Sequence, residues 1–364
     1  MVVASPPLFT HKMNRRLIRS IFVLLVLAAA AWWLQDRDTG STLDRPLTDF
    51  SVADTSQVSR IFIAETNGRS VDLRRSAEGH WTVLGAWREK DGTVHQAGPF
   101  RARRSLVDLA LKTFLRVEVR APVARSAEAN VFKKMSAMGR KVEIYEGSDE
   151  PSRVWYVGSA TPDQKGTYML LEKPGLGKSS QAFIMGMSGF TGHLSSRFLA
   201  MLDDWRSSQV FSYPDVGEVA SVEVQHPYDR EASFRVAQSS GGELALFDAN
   251  GRPVPVFDTL AVQDLILQFQ DLHFEGFERK LSDTGRDSIM HSLPARIVRV
   301  TDRDGEVNEV PFFAKAPYPG ETNLEGDLID RDLDRMYAVV QDTSLVLVQR
   351  HLFDRIVPAI DDLR

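Results

Sequence analysis

The stretch from Val58 to Arg74, VSRIFIAETNGRSVDLR, decides the expected fold. It begins with a strand from Val58 to Ala64, which leads into Asn67-Gly68, a dipeptide typical of tight hairpin turns. A returning strand follows from Ser70 to Arg74. The globular part of the chain is therefore predicted to start with an antiparallel hairpin.

The same order of elements then continues into a first predicted module. A third strand is predicted from His80 to Val83, a polar loop from Arg88 to Gly98, and a helix from Ala102 to Arg116, where Leu106, Leu109 and Leu111 give an apolar face. Four strands and a short helix complete the module: Lys141–Tyr145, Val154–Val157, Tyr168–Leu171, Ala182–Met185 and Phe198–Leu202.

A second stretch repeats this order. Its predicted strands and helices are Val219–Val224, Ala232–Val236, Glu243–Phe247, the helix Thr259–Leu272, Ala295–Val300, Val307–Phe313, Met336–Val340, Leu345–Val348 and the short helix Leu352–Val357. Equivalent positions are separated by similar distances: 161 residues between Val58 and Val219, and 159 between Leu106 and Leu265. We expect an internal duplication; the alternative is two unrelated domains that share an order of elements.

The N-terminus predicts a membrane anchor. Residues 1–20 contain four basic residues and no acid, and Ile21–Leu34 (IFVLLVLAAAAWWL) has no charged or polar side chain. Leu17 and Ile18 extend this run towards the length of a membrane span, with Trp32-Trp33 at the interface. Basic residues before the run and acidic residues after it place the N-terminus in the cytoplasm and the bulk outside. A cleaved signal peptide, with cleavage near Ala28–Ala31, is the alternative.

Composition and charge limit the function classes. The 364 residues include no cysteine, which excludes disulfides, thiolate metal sites and a cysteine nucleophile. Beyond the four early basic residues, 40 Lys and Arg face 49 Asp and Glu. This acidic balance argues against nucleic acid as a partner, because nucleic-acid-binding surfaces are strongly positive.

The predicted fold class is therefore α+β, with an N-terminal transmembrane helix followed by two tandem, similar, mainly antiparallel α+β modules. The predicted boundaries are a cytoplasmic N-tail at 1–16, the anchor at 17–34, a tether at 35–56 and modules at 57–212 and 213–364.

Two short motifs resemble catalytic loops but lack required positions. Gly177-Lys178-Ser179 resembles the end of a phosphate-binding loop, but the upstream glycine is replaced by Glu172 and a strand is predicted to follow. We interpret it as a hairpin turn. Gly186-Met187-Ser188-Gly189 resembles a nucleophile elbow, but its last glycine is replaced by Phe190, and the nearest histidine is His193.

Acidic residues form two further candidates. Asp330, Asp332 and Asp334 have the first spacings of a calcium loop, but Arg335 and Gln341 occupy positions that need glycine and a carboxylate. A solvated helix start is favoured there. Asp203-Asp204-Trp205-Arg206 holds two carboxylates capable of acid–base chemistry, although pairing of one of them with Arg206 is the favoured interpretation.

The eight histidines show no spacing typical of metal ligands. Those beside apolar strand residues, His80 and His273, are interpreted as core or half-exposed histidines. No catalytic, cofactor-binding or metal-binding residue is predicted, and no cofactor.

Several stretches together resemble a bacterial family of single-pass membrane proteins, the domain of unknown function 4340 family, especially its Bacteroidetes form. The resemblance covers nearly the whole chain from Met13. The stretches are Leu43-Asp44, Asp49-Phe50, Trp81-Thr82-Val83, Tyr156-Val157-Gly158 with Thr161, Asp163, Gly166–Leu171, Gly189-Phe190 with Gly192 and Leu194, Asp203–Arg206, and Phe274-Glu275 with Phe277. The family has no assigned activity, so no functional residue is carried over. Its genes often lie beside those of gliding-type ABC transporters, which implies an accessory role at a transport complex.

We therefore expect a non-enzymatic binding or scaffold protein, anchored in the bacterial inner membrane with its bulk in the periplasm. Its expected partners are the lipid bilayer, through residues 17–34, and one or more proteins of the cell envelope, which edge strands could pair with. The alternatives are a cell-envelope hydrolase using carboxylates such as Asp203 or Asp204, and a small-ligand binding module that uses a cleft between the two modules.

Overall fold

A computed structural model describes residues 47–323, 325–341 and 344–364. The predicted N-tail, transmembrane segment and most of the tether, residues 1–46, lie outside the described residues. Across the described ranges, no helix combines the length and the apolar character needed to cross a bilayer. The chain divides into two compact units, and the division falls between Trp205 and Arg206.

The first unit contains a large antiparallel sheet. Its strands and helices are β1 (Arg60–Glu65), β2 (Ser70–Arg75), β3 (Trp81–Arg88), β4 (Val94–Arg101), α1 (Arg104–Arg116), β5 (Val117–Pro122), α2 (Arg125–Met138), β6 (Arg140–Tyr145), β7 (Arg153–Ala160), β8 (Thr167–Lys173), β9 (Gly177–Lys178), β10 (Phe183–Met187) and α3 (Leu202–Trp205). The strand order in the described sheet is β4-β3-β2-β1-β6-β7-β8-β10-β5, with β9 paired to β8.

The second unit contains a nine-stranded sheet and a two-stranded one within its described residues. Its strands and helices are β11 (Gln209–Phe211), β12 (Val219–Gln225), β13 (Phe234–Gln238), β14 (Leu244–Asp248), β15 (Pro253–Val254), α4 (Thr259–Leu267), β16 (Leu272–His273), β17 (Gly276–Phe277), α5 (Asp283–Met290), β18 (Arg296–Asp302), β19 (Val307–Phe313), β20 (Arg335–Val340), β21 (Ser344–Gln349) and α6 (Arg350–Phe353). The larger sheet has the order β15-β14-β13-β12-β18-β19-β20-β21-β17, and β11 pairs with β16. Position by position, this order matches that of the large sheet in the first unit.

The predicted fold class, a transmembrane helix followed by two α+β modules, is wrong. The part of the chain that the structure describes is mainly antiparallel sheet, arranged in three sheets. The predicted loop Arg88–Gly98 contains much of β4, which pairs with β3. An edge strand exposes one hydrogen-bonding side and many of its side chains, so a polar sequence is compatible with it. The helix predicted to end at Leu272 ends at Leu267, and Leu272 instead begins β16.

In each unit, helices pack on both faces of the large sheet. In the first unit, Val107, Ala110 and Phe114 of α1 belong to the main core on one face of the sheet. On the other face, Val131 and Met135 of α2 cover a smaller cluster. The second unit follows the same plan, because α4 contributes to its main core and α5 packs on the opposite face.

Burial on two faces explains the sequence of the later strands. In β20, the five consecutive residues Met336–Val340 are buried, and none of them is charged. In β1, burial alternates, with Ile61 and Ile63 inside and their neighbours partly exposed. Strands covered on both faces read as continuous apolar runs, whereas half-covered strands alternate.

Candidate functional site

The residues that resemble a phosphate-binding loop lie at a hairpin. Gly177 and Lys178 form β9, which pairs with β8, and the next element is the strand β10. The Nζ atom of Lys178 lies 3.4 Å from the centre of the Tyr156 ring, a cation–π contact. The interpretation as a hairpin turn is confirmed, because the next described element is a strand and not the helix that a phosphate-binding loop needs.

The nucleophile-elbow candidate is not assembled either. Ser188 is exposed at the turn after β10. Nδ1 of His193 lies 2.8 Å from the hydroxyl of Ser195 rather than from that of Ser188. Within the part of the chain that the structure describes, no hydrogen bond joins Ser188 to a base.

The calcium-loop candidate is an internal ion pair. The Oδ2 atom of Asp332 lies 2.6 Å from Nζ of Lys315, and its Oδ1 accepts hydrogen bonds from the N–H groups of Asp334 and Arg335. The predicted solvated helix start is wrong, because residues 330–334 form a loop into β20 and Asp332 is only 4% exposed. Its carboxylate is occupied by partners of the chain itself.

The paired carboxylates Asp203 and Asp204 lie in the single turn of α3. The indole N–H of Trp205 donates to the carbonyl of Leu199 at 2.7 Å, so this turn is fixed by the core of its own unit. Arg206 donates to Gln341 and Ser344 and lies 4.4 Å from the centre of the Phe277 ring. These contacts give Arg206 a structural role.

A surface cavity of the second unit is lined by several charged and titratable side chains. Its volume is about 450 Å³. It lies where one end of the large sheet meets the C-terminal segment that follows α6. Its charged and titratable lining consists of His226, Arg296, Arg331, Arg350, Asp229, Asp354 and Asp362.

Two strands place the central side chains of this cavity. Val222 and Val224 are the inward residues of β12, and His226 continues that alternation one step past its end. In the same way, Arg296 lies on the face of β18 that carries the buried Val298 and Val300. An alternating pattern thus carries a histidine and an arginine to the end of an apolar face.

The buried imidazole of His226 has a defined tautomer. Its Nε2 lies 2.9 Å from the carbonyl oxygen of Pro358, which can only accept, so Nε2 carries the proton. Burial, followed by the nearby charge of Arg296, lowers the pKa of His226 below its ordinary value. A neutral imidazole therefore links the end of β12 to the C-terminal segment.

The guanidinium of Arg296 uses few of its hydrogen-bond donors within the described residues. One of its N–H groups donates to the carbonyl of Ala295 at 2.7 Å, and it has no ion pair with any described residue. Burial lowers its pKa, although a guanidinium remains charged at neutral pH. A partly buried charge with free donors is costly unless an anion or water satisfies it.

The other charged groups around the cavity are mostly engaged. Arg350 pairs with Asp354 at 3.2 Å, one turn apart. The carboxylate of Asp362 accepts a hydrogen bond from the N–H of Ala359. Arg296 therefore keeps donors that no described residue accepts from, and its flat fork of donors fits a carboxylate or a phosphate.

Metal binding has no comparable support. In residues 47–323, 325–341 and 344–364, no three His, Asp or Glu side chains converge in a way that would hold a metal ion.

Neither His226 nor Arg296 is marked as a functional residue by a motif in the sequence. The signal was present, because each continues the inward alternation of an apolar strand. This alternation gains a functional meaning only through the C-terminal segment, which packs beside both residues.

No protein-family model matches this chain, and no curated protein matches it significantly. The cavity must therefore be interpreted from its own chemistry.

Proposed function

We propose that this chain is a binding protein of the bacterial cell envelope, which holds an anionic group of its ligand or partner in the cavity around Arg296. The observation that carries the proposal is the guanidinium of Arg296, partly buried and without an ion pair among the described residues. An anion there would satisfy donors that the protein leaves open.

The cellular setting of this proposal rests on the sequence. The apolar segment 17–34 would attach the chain to the inner membrane, and the acidic remainder would lie in the periplasm. The resemblance to membrane proteins encoded beside gliding-type ABC transporters supports an accessory role at such a transport complex. A binding or scaffold protein needs no catalytic residues of its own.

Thermal unfolding with a panel of anions tests the binding site. The probes are inorganic phosphate, pyrophosphate, acetate, citrate and a short acidic peptide. An anion at 100 times its Kd stabilises the folded state by about 2.7 kcal/mol. For a domain of this size we expect the melting temperature to rise by roughly 5–10 °C.

A matched pair of variants separates this site from general charge effects. Arg296→Gln removes the proposed anion ligand. Arg299→Gln removes a cation from the same strand, where Arg299 already pairs with Glu223 and Glu309. We expect the anion-induced shift to disappear in R296Q and to persist in R299Q. An absence of any shift in the wild type, or an equal shift in both variants, would contradict the proposal.

Extraction of the full chain from its native membrane with a mild detergent tests the accessory role. We expect a membrane transport component to co-purify with it. If the chain runs alone under every gentle condition, the accessory role has no support, whatever the outcome of the anion titration.

A further inference from the structure

Three polar side chains form a hydrogen-bonded relay beside the two-stranded sheet of the second unit. The hydroxyl oxygen of Ser208 lies 2.9 Å from Nδ1 of His273. The other ring nitrogen of His273, Nε2, lies 2.8 Å from Oδ1 of Asp271. A serine, a histidine and an aspartate are thus connected in that order.

The backbone holds this relay in place. Ser208 directly precedes β11 and His273 ends β16, and the register of the two strands puts Gln209 opposite His273. The N–H of Phe274 donates to the carbonyl of Ser208 at 2.9 Å, which fixes the serine beside the histidine. The side-chain amide of Gln209 lies 3.5 Å from Asp271, on the carboxylate side of the relay.

The order of the partners sets the tautomer that catalysis needs. An ionised carboxylate only accepts hydrogen bonds, so Asp271 favours the proton on Nε2 of His273. In the neutral ring, Nδ1 is then the acceptor, and the hydroxyl of Ser208 donates to it. This is the arrangement of a nucleophile, a general base and a group that orients the base. In the familiar serine triad, Nδ1 faces the carboxylate and Nε2 faces the serine, whereas in this relay the two ring nitrogens have the opposite partners. The proton transfer is chemically equivalent in both arrangements.

We propose that Ser208 is a nucleophile that accepts acyl groups from small activated esters, with His273 as its general base and Asp271 as the group that orients the base. The oxygen of Ser208 attacks the ester carbonyl while its proton passes to Nδ1 of His273. The carbon–oxygen bond to the leaving alcohol breaks, and that alcohol takes the proton from His273. Water then attacks the acyl-serine, gives its proton to His273 and releases the acid, and the proton returns to Ser208.

Exposure limits the rate and defines the substrate. The side chain of His273 is 44% exposed and that of Asp271 is 65% exposed, so a small ester can reach the relay from solvent. The same exposure weakens electrostatic stabilisation of the transition state, which depends on exclusion of water. Esters with good leaving groups are therefore the expected substrates, and amides are not.

This reactivity is separate from the proposed anion site. None of the three relay residues belongs to the lining of the cavity around Arg296. Either proposal can thus fail without the other.

Labelling of the full chain with a fluorophosphonate probe tests the relay, with the modified residue mapped by mass spectrometry. The initial rate of p-nitrophenyl acetate cleavage is the second readout. Ser208→Ala removes the nucleophile and Asp271→Asn removes the carboxylate while keeping the shape. Ser212→Ala is the matched control, because Ser212 follows the same strand. Its hydroxyl accepts from the side-chain amide of Gln209, and among the described residues it has no hydrogen bond with a histidine.

We expect an adduct on Ser208 that is absent in S208A and unchanged in S212A. A general base contributes roughly 10²–10⁴-fold when well placed, and we expect at least a tenfold slower labelling in D271N at this exposed position. Melting temperatures within about 2 °C of the wild type show that the variants are folded. Labelling of Ser208 no faster than that of other serines, or an unchanged rate in D271N, would overturn the proposal.

Discussion

The ion pair between Lys315 and Asp332 predicts a large effect from a small change. In Asp332→Asn, the side-chain oxygen can still accept from the N–H groups of Asp334 and Arg335, so both backbone hydrogen bonds are retained. What is lost is the negative charge 2.6 Å from Nζ of Lys315, where the two side chains are only 5% and 12% exposed. The substitution thus isolates the charge.

The magnitude follows from the cost of leaving Lys315 unpaired. Removal of one partner from a buried ion pair destabilises a protein by about 3–5 kcal/mol. Lys315 keeps some exposure and a carbonyl partner, Ala316, at 3.4 Å, so we expect the low end, about 3 kcal/mol. Urea unfolding at pH 7 measures this as a lower midpoint with an unchanged slope.

The pH dependence of stability provides a second test of this ion pair. Burial acts to raise the pKa of Asp332, but the hydrogen bonds from Lys315, Arg335 and Asp334 outweigh it, and the pKa lies below its ordinary value of 3.8. The stabilisation is therefore fully present above the unfolded-state pKa and is lost as the pH falls through the lower folded-state pKa. We expect the difference between wild type and D332N to shrink below about pH 3.8.

Two further variants test whether Lys315 and Asp332 form a buried ion pair. Asp330→Asn changes an aspartate that is 93% exposed, and we expect its effect to stay within about 0.5 kcal/mol. Combining D332N with Lys315→Met removes the stranded charge and should recover part of the loss. A D332N effect below about 1 kcal/mol, or an equal effect of D330N, would refute the assignment of a buried ion pair.

Two more predictions concern the second unit. Because the folded-state pKa of His226 is lowered, first by burial and then by Arg296, the unfolded state binds the proton more readily. The free energy of unfolding should therefore decrease as the pH falls below the unfolded-state pKa of about 6.5. His226→Gln should reduce this decrease between pH 7 and 5, whereas His351→Gln, at an exposed position, should not. If urea unfolding gives the same pH dependence of stability for the wild type and both variants, the assignment is contradicted. Asp258 is the N-cap that precedes α4, and its carboxylate accepts hydrogen bonds from the N–H groups of Leu260 and Ala261. Asp258→Ala should therefore lower the free energy of unfolding by about 1 kcal/mol in urea, and Asp258→Ser by much less. An equal loss in both variants would argue against a capping role.

The sequence by itself determined most of the strands. Turn chemistry at Asn67-Gly68 and the apolar residues around it predicted β1 and β2 to within a few residues, and Val307–Phe313 was predicted with its observed bounds. These segments were predictable because their periodicity and turns depend on neighbours close in sequence. The helix α2 was missed because only Val131 and Met135 of its residues are buried, which leaves a weak apolar pattern.

Tertiary structure decided the sheet edges and the candidate sites. β4 is a strand because it pairs with β3, and Leu272 and His273 are a strand because they pair with β11. His226 and Arg296 are separated by 70 residues of sequence, and Ser208 and His273 by 65. Long-range pairing of strands brings these polar groups together, and composition and local periodicity carry no record of which strands pair.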